Sequence, residues 1–169
     1  MKEAIISFGS NLGDLGANLI RARESLEENG YLINRCSGVY LTPALGFESD
    51  NDFYNAVVEV VTLKEPEEVL HDLLKIEQEL GRIRHTKSYT DRIIDLDLIA
   101  YSDVTKFSEH LTLPHPRYHL RLFILIPLRD IRPNWYDKSI NMGIEEMISL
   151  LGEQETPQPI SFDICAKSR

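Results

Sequence analysis

This chain of 169 residues has few cysteines and no long apolar run. Its two cysteines, Cys36 and Cys165, stand far apart and form none of the short spacings typical of metal or redox motifs. We therefore expect both thiols to be free, as in a reducing cytoplasm. The apolar run within MKEAIISFGSN is too short for a signal peptide, and no segment reaches the about 20 apolar residues that span a bilayer. These absences predict a cytoplasmic protein that does not bind membranes.

The common phosphate-binding loops are also missing, because GSNLGD matches neither GxxxxGK[ST] nor GxGxxG. The net charge of −9 argues against nucleic acid as a partner. Basic residues nevertheless gather in two stretches, RIRHTKSYTDR at residues 82–92 and HPRYHLR at residues 115–121. A locally basic site on an acidic protein indicates a small polyanion as ligand, although two solvated basic loops would give the same pattern.

What is present is the composition of one globular domain, with 43% hydrophobic and 27% charged residues. Apolar periodicity predicts the order strand, helix, strand, strand, helix, strand. This is the split β-α-β plan of a ferredoxin-like α+β sandwich, in which two helices cover one face of an antiparallel sheet and leave the other face for a site. The predicted elements are strand 2–8, a helix from Asp14 to Gly30, strand 31–41, strand 53–63, a helix from Pro66 to Gly81 and strand 92–99.

The pattern weakens beyond residue 103. The stretch RLFILIPLRDI is apolar but broken by Pro127, and a short helix with Ile144 and Met147 on its apolar face should end at Gly152. Residues 153–159 are expected to form a surface linker, and the following ISFDIC an edge strand or a tail. We assign residues 1–169 to a single domain.

Two aspartates, Asp95 and Asp97, interrupt the branched apolar run RIIDLDLI. Because side chains alternate along a strand, both carboxylates lie on one face, about 7 Å apart. Such a pair repels unless one carboxylate takes up a proton or a cation lies between them. Mg²⁺ suits the pair, since it accepts one or two carboxylates and completes its shell with water and phosphate oxygens. A half-exposed strand whose polar face is acidic is the alternative.

Phe53 and Asn55 form a second candidate pair on one face of their strand. An aromatic face stacks on a flat ring, and an amide offers donors and an acceptor to the edge of a heterocycle. Phe123 is a candidate for a second aromatic wall. A core phenylalanine beside an asparagine satisfied by a turn is the alternative for this pair.

Seven short motifs follow one another between residue 1 and about residue 135: GSNLG, YLTPALG, FYN, LGRIR, DRIIDLDLI, LTLPHPRYHLR and FILIPL. In this order they resemble the 6-hydroxymethyl-7,8-dihydropterin pyrophosphokinase family. The resemblance agrees with the ferredoxin-like plan. It implies an enzyme of folate biosynthesis that moves a diphosphate from ATP to the hydroxymethyl group of a dihydropterin. We expect a monomer whose partners are ATP and that dihydropterin.

The resemblance also implies roles for individual positions. Asp95 and Asp97 would hold two Mg²⁺ ions, and Arg82 and Arg92 would meet the transferring phosphates as catalytic residues. The ATP-contacting positions are Glu77, Arg84, Leu98, Thr112, His115 and Arg121. The pterin pocket would comprise Thr42, Pro43, Leu45, Phe53, Asn55, Tyr89 and Phe123, with Phe53 and Phe123 on the two sides of the ring.

One stretch departs from the family. Where Arg-Trp-Gly-Pro is usual before the arginine at position 92, this chain has Ser88, Tyr89, Thr90 and Asp91. Serine cannot bind phosphate as arginine does, whereas Tyr89 can still cover the pterin.

Two other classes of protein share the predicted fold. A binding module that holds nucleotide or pterin without turnover is favoured only by the changed stretch 88–91. It is opposed by the intact acidic pair and its two arginines. An RNA-binding ferredoxin-like module lacks its usual aromatic strand motif here, and the net charge has the wrong sign.

Overall fold

A computed structural model of the protein describes residues 1–83 and 89–166. Its centre is a six-stranded antiparallel sheet. The sheet strands are β1 (Lys2–Ser10), β2 (Leu32–Cys36), β3 (Val39–Thr42), β4 (Phe53–Thr62), β5 (Asp95–Tyr101) and β10 (Gln158–Ile160). The helices are α1 (Leu15–Glu28), α2 (Pro66–Glu79), α3 (Leu122–Ile131) and α4 (Ile144–Leu150), with a 3₁₀ turn at Tyr118–Leu120. Two small ribbons pair β6 (Lys106–Phe107) with β7 (Thr112–Leu113), and β8 (Tyr136–Asp137) with β9 (Met142–Gly143).

The strand order is β10-β3-β4-β1-β5, and β2 pairs with β4 alongside β3. This order confirms the ferredoxin-like α+β prediction. The strand predicted over residues 31–41 is divided into β2 and β3 at Ser37. There the Ser37 side-chain oxygen accepts a hydrogen bond from the Val57 amide, while the Ser37 amide donates to the Val57 carbonyl.

Helices α1 and α2 cover one face of the sheet, as predicted, and bury the larger core cluster. The Asp14 carboxylate accepts from the Ala17 amide and so begins α1. Glu65 and Glu68 form a capping box at the start of α2, with Pro66 in its first turn. These signals are local, which is why the sequence alone located both helices.

The opposite face of the sheet is not left free, which corrects the sequence prediction. Helices α3 and α4 pack on it and bury a second cluster that includes Ile5, Val57 and Ile99. Helix α3 also continues through Pro127 instead of breaking there. Proline removes one backbone hydrogen bond, but burial of most apolar side chains of α3 compensates for that loss. The site is therefore confined to the part of this face that α3 and α4 leave uncovered.

The C-terminal segment contains an edge strand, since β10 pairs with β3. Two of the three residues of β10, Gln158 and Pro159, lie in the stretch predicted as a linker. Behind β10, Cys165 forms a disulfide with Cys36 at the end of β2. The expectation of two free thiols was therefore wrong, because the fold brings together two cysteines that lie 129 positions apart. None of the helices in the described ranges has both the length and the apolar character needed to cross a membrane.

Candidate active site

A cavity of about 860 Å³ opens on the uncovered part of the sheet, beside the first turn of α3. Its floor comes from β1, β4 and β5, and its walls come from the loop after β3, from residues 89–92 and from residues 115–123. A volume of this order accommodates a ligand of several hundred cubic ångströms, and most of its lining is drawn from segments far apart in the chain.

Strand register decides what meets on the floor. Gly9 of β1 lies opposite Asn55 of β4 on one side and Asp95 of β5 on the other. The three residues thus form one row across three strands, which places the Asn55 and Asp95 backbones about 10 Å apart. A Cβ atom at Gly9 would lie 3.4 Å from the Asn55 side-chain oxygen and 3.9 Å from the Asp95 Cβ. Because Gly9 has no side chain, the cavity floor stays open between the Asn55 amide and the Asp95 carboxylate.

Asp95 belongs to a charged cluster with Arg82 at its centre. One Arg82 nitrogen, Nη1, lies 2.6 Å from Glu77 Oε1 and 2.5 Å from Asp95 Oδ1. Glu77 Oε1 also accepts from the Leu96 backbone amide at 2.8 Å. Glu77 is 1% exposed and lies outside the cavity wall. Glu77 therefore orients the Arg82 guanidinium, which in turn reaches the cavity.

Asp97 differs from its neighbour, because its carboxylate makes no hydrogen bond or ion pair with another described residue. Burial raises the pKa of Asp97 above its ordinary value, and the negative charges of Asp95 and Glu77 add to the rise. A partly buried carboxylate beside a second carboxylate has the donor chemistry that Mg²⁺ accepts.

The two aspartates alone would not complete a metal site. Among residues 1–83 and 89–166, no group of three or more His, Cys, Asp and Glu side chains is disposed to hold a metal ion. A pair of carboxylates still fits Mg²⁺, provided that water and substrate oxygens fill the other positions. In the free protein, Arg82 and Arg92 partly neutralise Asp95. The Arg92 Nε lies 3.5 Å from Asp95 Oδ2.

Arg92 is surrounded by three aromatic rings. The carbon of its guanidinium lies 5.3 Å from the Phe53 ring centre, 5.7 Å from that of Tyr89 and 5.8 Å from that of Phe47. Phe47 stacks on Tyr89 with a centroid separation of 6.5 Å and meets Phe53 edge to face at 6.2 Å. The arginine is thus held by cation–π contacts at one end of the cavity.

Asn55 has a defined orientation in the floor. Its Nδ2 donates to the Thr42 hydroxyl at 2.6 Å in a buried contact. The amide oxygen accepts no hydrogen bond from another described side chain, so it is available to an N–H group of a ligand. Thr42 therefore selects which end of the amide meets a bound ring.

Positive charge lines the other side of the cavity. Arg117 donates to the Tyr89 hydroxyl at 3.2 Å, and the Arg121 guanidinium carbon lies 5.8 Å from the Phe123 ring centre. Burial, with these two arginines, lowers the pKa of His115 to about 4. His115 Nδ1 accepts from the Arg117 amide, which leaves Nε2 to carry the proton of the neutral ring. Imidazole and guanidinium donors together suit a polyanion.

Most of the residues singled out from the sequence meet in this one cavity. Its wall includes Arg82, Arg92, Asp95, Asp97, His115, Arg121, Thr42, Pro43, Leu45, Phe53, Asn55, Tyr89 and Phe123.

Three residues expected at the nucleotide are not part of the cavity wall. Leu98 is 4% exposed and packs in the core under α1 and α2, because it alternates with the aspartates along β5. Thr112 lies in the β6–β7 ribbon, and Glu77 is buried behind Arg82. Any contact of Leu98 with a ligand would come from its backbone. Arg84, also expected at the nucleotide, lies outside the described residues.

The cavity also contains residues that sequence reasoning did not assign, notably Ser7, Gly9, Phe47 and Arg117. Two of them carried a signal in the sequence: Phe47 is an aromatic residue in a loop of turn formers, and Arg117 belongs to the basic stretch 115–121. Ser7 and Gly9 carried none, because only the pairing of β1 with β5 sets them beside Asp97 and Asp95.

Comparison with solved structures supports the fold. An HPPK-DHPS protein crystallised with substrates superimposes with a TM-score of 0.72 and 15% identity, over 90% of this chain and 43% of that one. HPPK-DHPS of Plasmodium falciparum with pteroate gives a TM-score of 0.70 and 16% identity, over 90% of this chain and 45% of that one. The chain therefore spans less than half the length of these structural neighbours.

Comparison with sequences identifies the family. A 2-amino-4-hydroxy-6-hydroxymethyldihydropteridine pyrophosphokinase of Synechocystis sp. is 38% identical over 146 residues, which cover 86% of this chain and 74% of the relative. The Porphyromonas gingivalis protein of the same name is 40% identical over 131 residues, 76% of this chain and 89% of the relative. The model of the 7,8-dihydro-6-hydroxymethylpterin-pyrophosphokinase (HPPK) family matches residues 5–133. On this evidence the chain belongs to the 7,8-dihydro-6-hydroxymethylpterin-pyrophosphokinase family.

Proposed function

We propose that this chain transfers the diphosphate group of ATP to the hydroxymethyl oxygen of 6-hydroxymethyl-7,8-dihydropterin. That oxygen attacks the β-phosphorus and its proton is released to solvent, while the bond from the β-phosphorus to the α,β-bridging oxygen breaks and AMP leaves. The observation that carries the proposal is the row of Asn55, Gly9 and Asp95. It provides a ring-binding amide and a cation-binding carboxylate on one floor, at a separation of about 10 Å.

The pterin end of the cavity is aromatic and has one oriented amide. Phe53 and Phe123 supply faces for a flat ring, and the Asn55 oxygen faces the ring edge because Thr42 holds the amide nitrogen. Pro43, Leu45 and Tyr89 close the apolar side. A ring held in this way points its hydroxymethyl group along the floor toward Asp95.

The phosphate end is cationic. Arg82 and Arg92 lie beside Asp95, and Arg121 and His115 line the same cavity. Guanidinium groups bind phosphate oxygens through two parallel N–H donors, so these arginines neutralise charge on the transferring and departing phosphates. Arg92 already lines the cavity from its place among the aromatic rings.

Asp95 and Asp97 would hold the Mg²⁺ that the family resemblance implies. When bound, Mg²⁺ screens the negative charge of the triphosphate and so assists attack at phosphorus. The support in this chain is the shared face of the two carboxylates and the repulsion from Asp95 that, with burial, raises the pKa of Asp97. Asp95 is paired with Arg82 in the free protein, so a cation at Asp95 would compete with that ion pair.

Product analysis tests the proposal. The protein is mixed with ATP, Mg²⁺ and the dihydropterin, and the products are separated by chromatography. We expect one AMP for each pterin diphosphate formed. The 6-methyl analogue, which lacks the acceptor oxygen, should bind without AMP formation. Stoichiometric ADP would contradict the proposal even if pterin were consumed, and pterin binding without turnover would favour the binding module instead.

A further inference from the structure

We propose that Asp91 is a positioning residue that joins the loop of residues 43–52 to the segment carrying Arg92, and that it acts on diphosphate transfer through Arg92. The inference rests on the proposed function of the same site. Asp91 is the one acidic residue in the basic stretch 82–92, and it stands at a position where the family usually has proline. No role for it follows from the family pattern.

Three donors from two distant segments converge on the Asp91 carboxylate. Oδ1 accepts from the Ser49 hydroxyl at 2.5 Å and from Asn11 Nδ2 at 2.8 Å, and Oδ2 accepts from Asn51 Nδ2 at 2.6 Å. Ser49 and Asn51 belong to the loop that also carries Phe47 of the cavity wall. The hydrogen bond from Ser49, with those from Asn51 and Asn11, lowers the pKa of Asp91, so the carboxylate is ionised and the contacts are charge-assisted.

Asn11 relays this contact to Arg92. Because Asn11 Nδ2 faces Asp91, its Oδ1 is turned to the Arg92 backbone amide, which donates to it at 2.7 Å. The Asn11 amide in turn donates to the Arg92 carbonyl at 3.1 Å. The backbone of Arg92 is thus held on both sides by one residue, whose side-chain amide is oriented by Asp91.

Among the described residues, the Arg92 side chain is held by an ion pair and ring contacts rather than by hydrogen bonds. Its guanidinium makes no hydrogen bond to a described residue, and its Nε is buried without a hydrogen-bond partner in the described chain. It is located by an ion pair of 3.5 Å with Asp95 and by rings that include Phe47. Asp91 contacts the loop that carries Phe47 directly, and it contacts the Arg92 backbone through Asn11. The position of the guanidinium therefore depends on this carboxylate.

The test uses Asp91→Asn, which keeps the shape of the side chain. The new amide NH₂ cannot accept a hydrogen bond, so at least one of the donors Ser49, Asn11 and Asn51 loses its acceptor. Asp50→Asn is the matched control, because Asp50 is exposed in the same loop and makes no hydrogen bond with another described residue. Relative to the wild type we expect kcat for AMP formation to fall about 10-fold in Asp91→Asn, with KM for ATP changed less than 3-fold. Asp50→Asn should match the wild type in both.

A double-mutant cycle with Arg92→Ala then shows whether Asp91 acts through Arg92. We expect Asp91→Asn to cause no further loss of kcat in the Arg92→Ala background. Ser49→Ala, which removes one of the three donors and leaves the carboxylate, should lower kcat about 3-fold and serves if Asp91→Asn does not fold.

Several results would overturn the assignment. The first is a kcat equal to that of the wild type in Asp91→Asn or in Ser49→Ala. The second is a lower melting temperature of Asp91→Asn with an unchanged kcat. The third is a double mutant in which the two losses of kcat are independent and multiply. A wild-type protein that forms no AMP would overturn the proposed function and the role of Asp91 with it. An active wild type with an unaffected Asp91→Asn variant would remove the role of Asp91 alone.

Discussion

Asp97 is a carboxylate held at a cost in the free protein. Its neighbours Asp95 and Glu77 are acidic, and burial further raises its pKa. An acid whose pKa is higher in the folded than in the unfolded state binds more protons when folded, so its contribution to stability is lost as pH rises through that folded pKa. A residue retained at such a cost is a candidate for function.

We therefore expect Asp97→Asn to abolish AMP formation while the fold survives. The variant should lose at least about 10²-fold in kcat, the scale seen when one group that stabilises transition-state charge is removed. Without Mg²⁺ it should unfold in urea at a concentration equal to or above that of the wild type at pH 8, because the unfavourable charge is gone. Near-normal activity at saturating Mg²⁺ would contradict the metal assignment.

The pKa of His115 shifts in the opposite direction to that of Asp97. Burial, with Arg121 and Arg117, lowers its pKa to about 4, whereas an unfolded histidine titrates near 6.5. Between these values the unfolded chain binds more protons, so the free energy of unfolding should fall as pH drops from about 6.5 to about 4. His115→Gln should flatten this part of the curve. NMR titration of the imidazole gives the pKa directly, and a value near 6.5 in the folded protein would contradict the prediction.

At the scale of the element, the disulfide ties the end of β2 to the segment that follows β10. It joins two cysteines 129 positions apart, which restricts the unfolded chain. We expect reduction to lower the free energy of unfolding by about 2–4 kcal/mol.

Thermal unfolding with and without a reductant checks this expectation. The Tm of the wild type should fall by several degrees under reductant. The Cys36→Ser, Cys165→Ser double variant should have this lower Tm both with and without reductant. An unchanged wild-type Tm, together with two thiols that titrate in the untreated protein, would show that the bond does not form in solution.

At the scale of the whole molecule, the two end strands of the path β10-β3-β4-β1-β5 are poor templates for another strand. On one edge β10 has three residues with Pro159 in the middle, and proline cannot donate to a ladder. On the other edge, the Leu96 amide of β5 donates to Glu77 and the Ile99 carbonyl accepts from the His115 amide. A net charge of −9 adds repulsion between copies.

We accordingly expect a monomer. Sedimentation equilibrium at protein concentrations of tens of micromolar should give a mass near 19.4 kDa, with and without ATP. A mass near twice that value, or one that rises with concentration, would contradict the prediction.

The features that could be predicted from the sequence are those with a local cause. Asp14 and Pro66 begin helices through contacts within one turn, and the alternation around Asp95 and Asp97 follows from strand geometry alone. The motif order located the family because its residues lie in short runs. Predictions that extended to the second face of the sheet were less successful. Helix α3 runs through Pro127 because its packing outweighs a local preference, and packing cannot be seen in a short window.

The sequence by itself therefore determined the two helices α1 and α2, the split β-α-β order and the residue types proposed to carry the chemistry. Only the tertiary structure decided which of them meet. Asn55, Gly9 and Asp95 form a row because of strand register, Asp91 reaches Ser49 across 42 positions, and Cys36 reaches Cys165 across 129. Such contacts depend on how the whole chain closes around two cores. Their free energy is shared among many residues, and no local stretch encodes it.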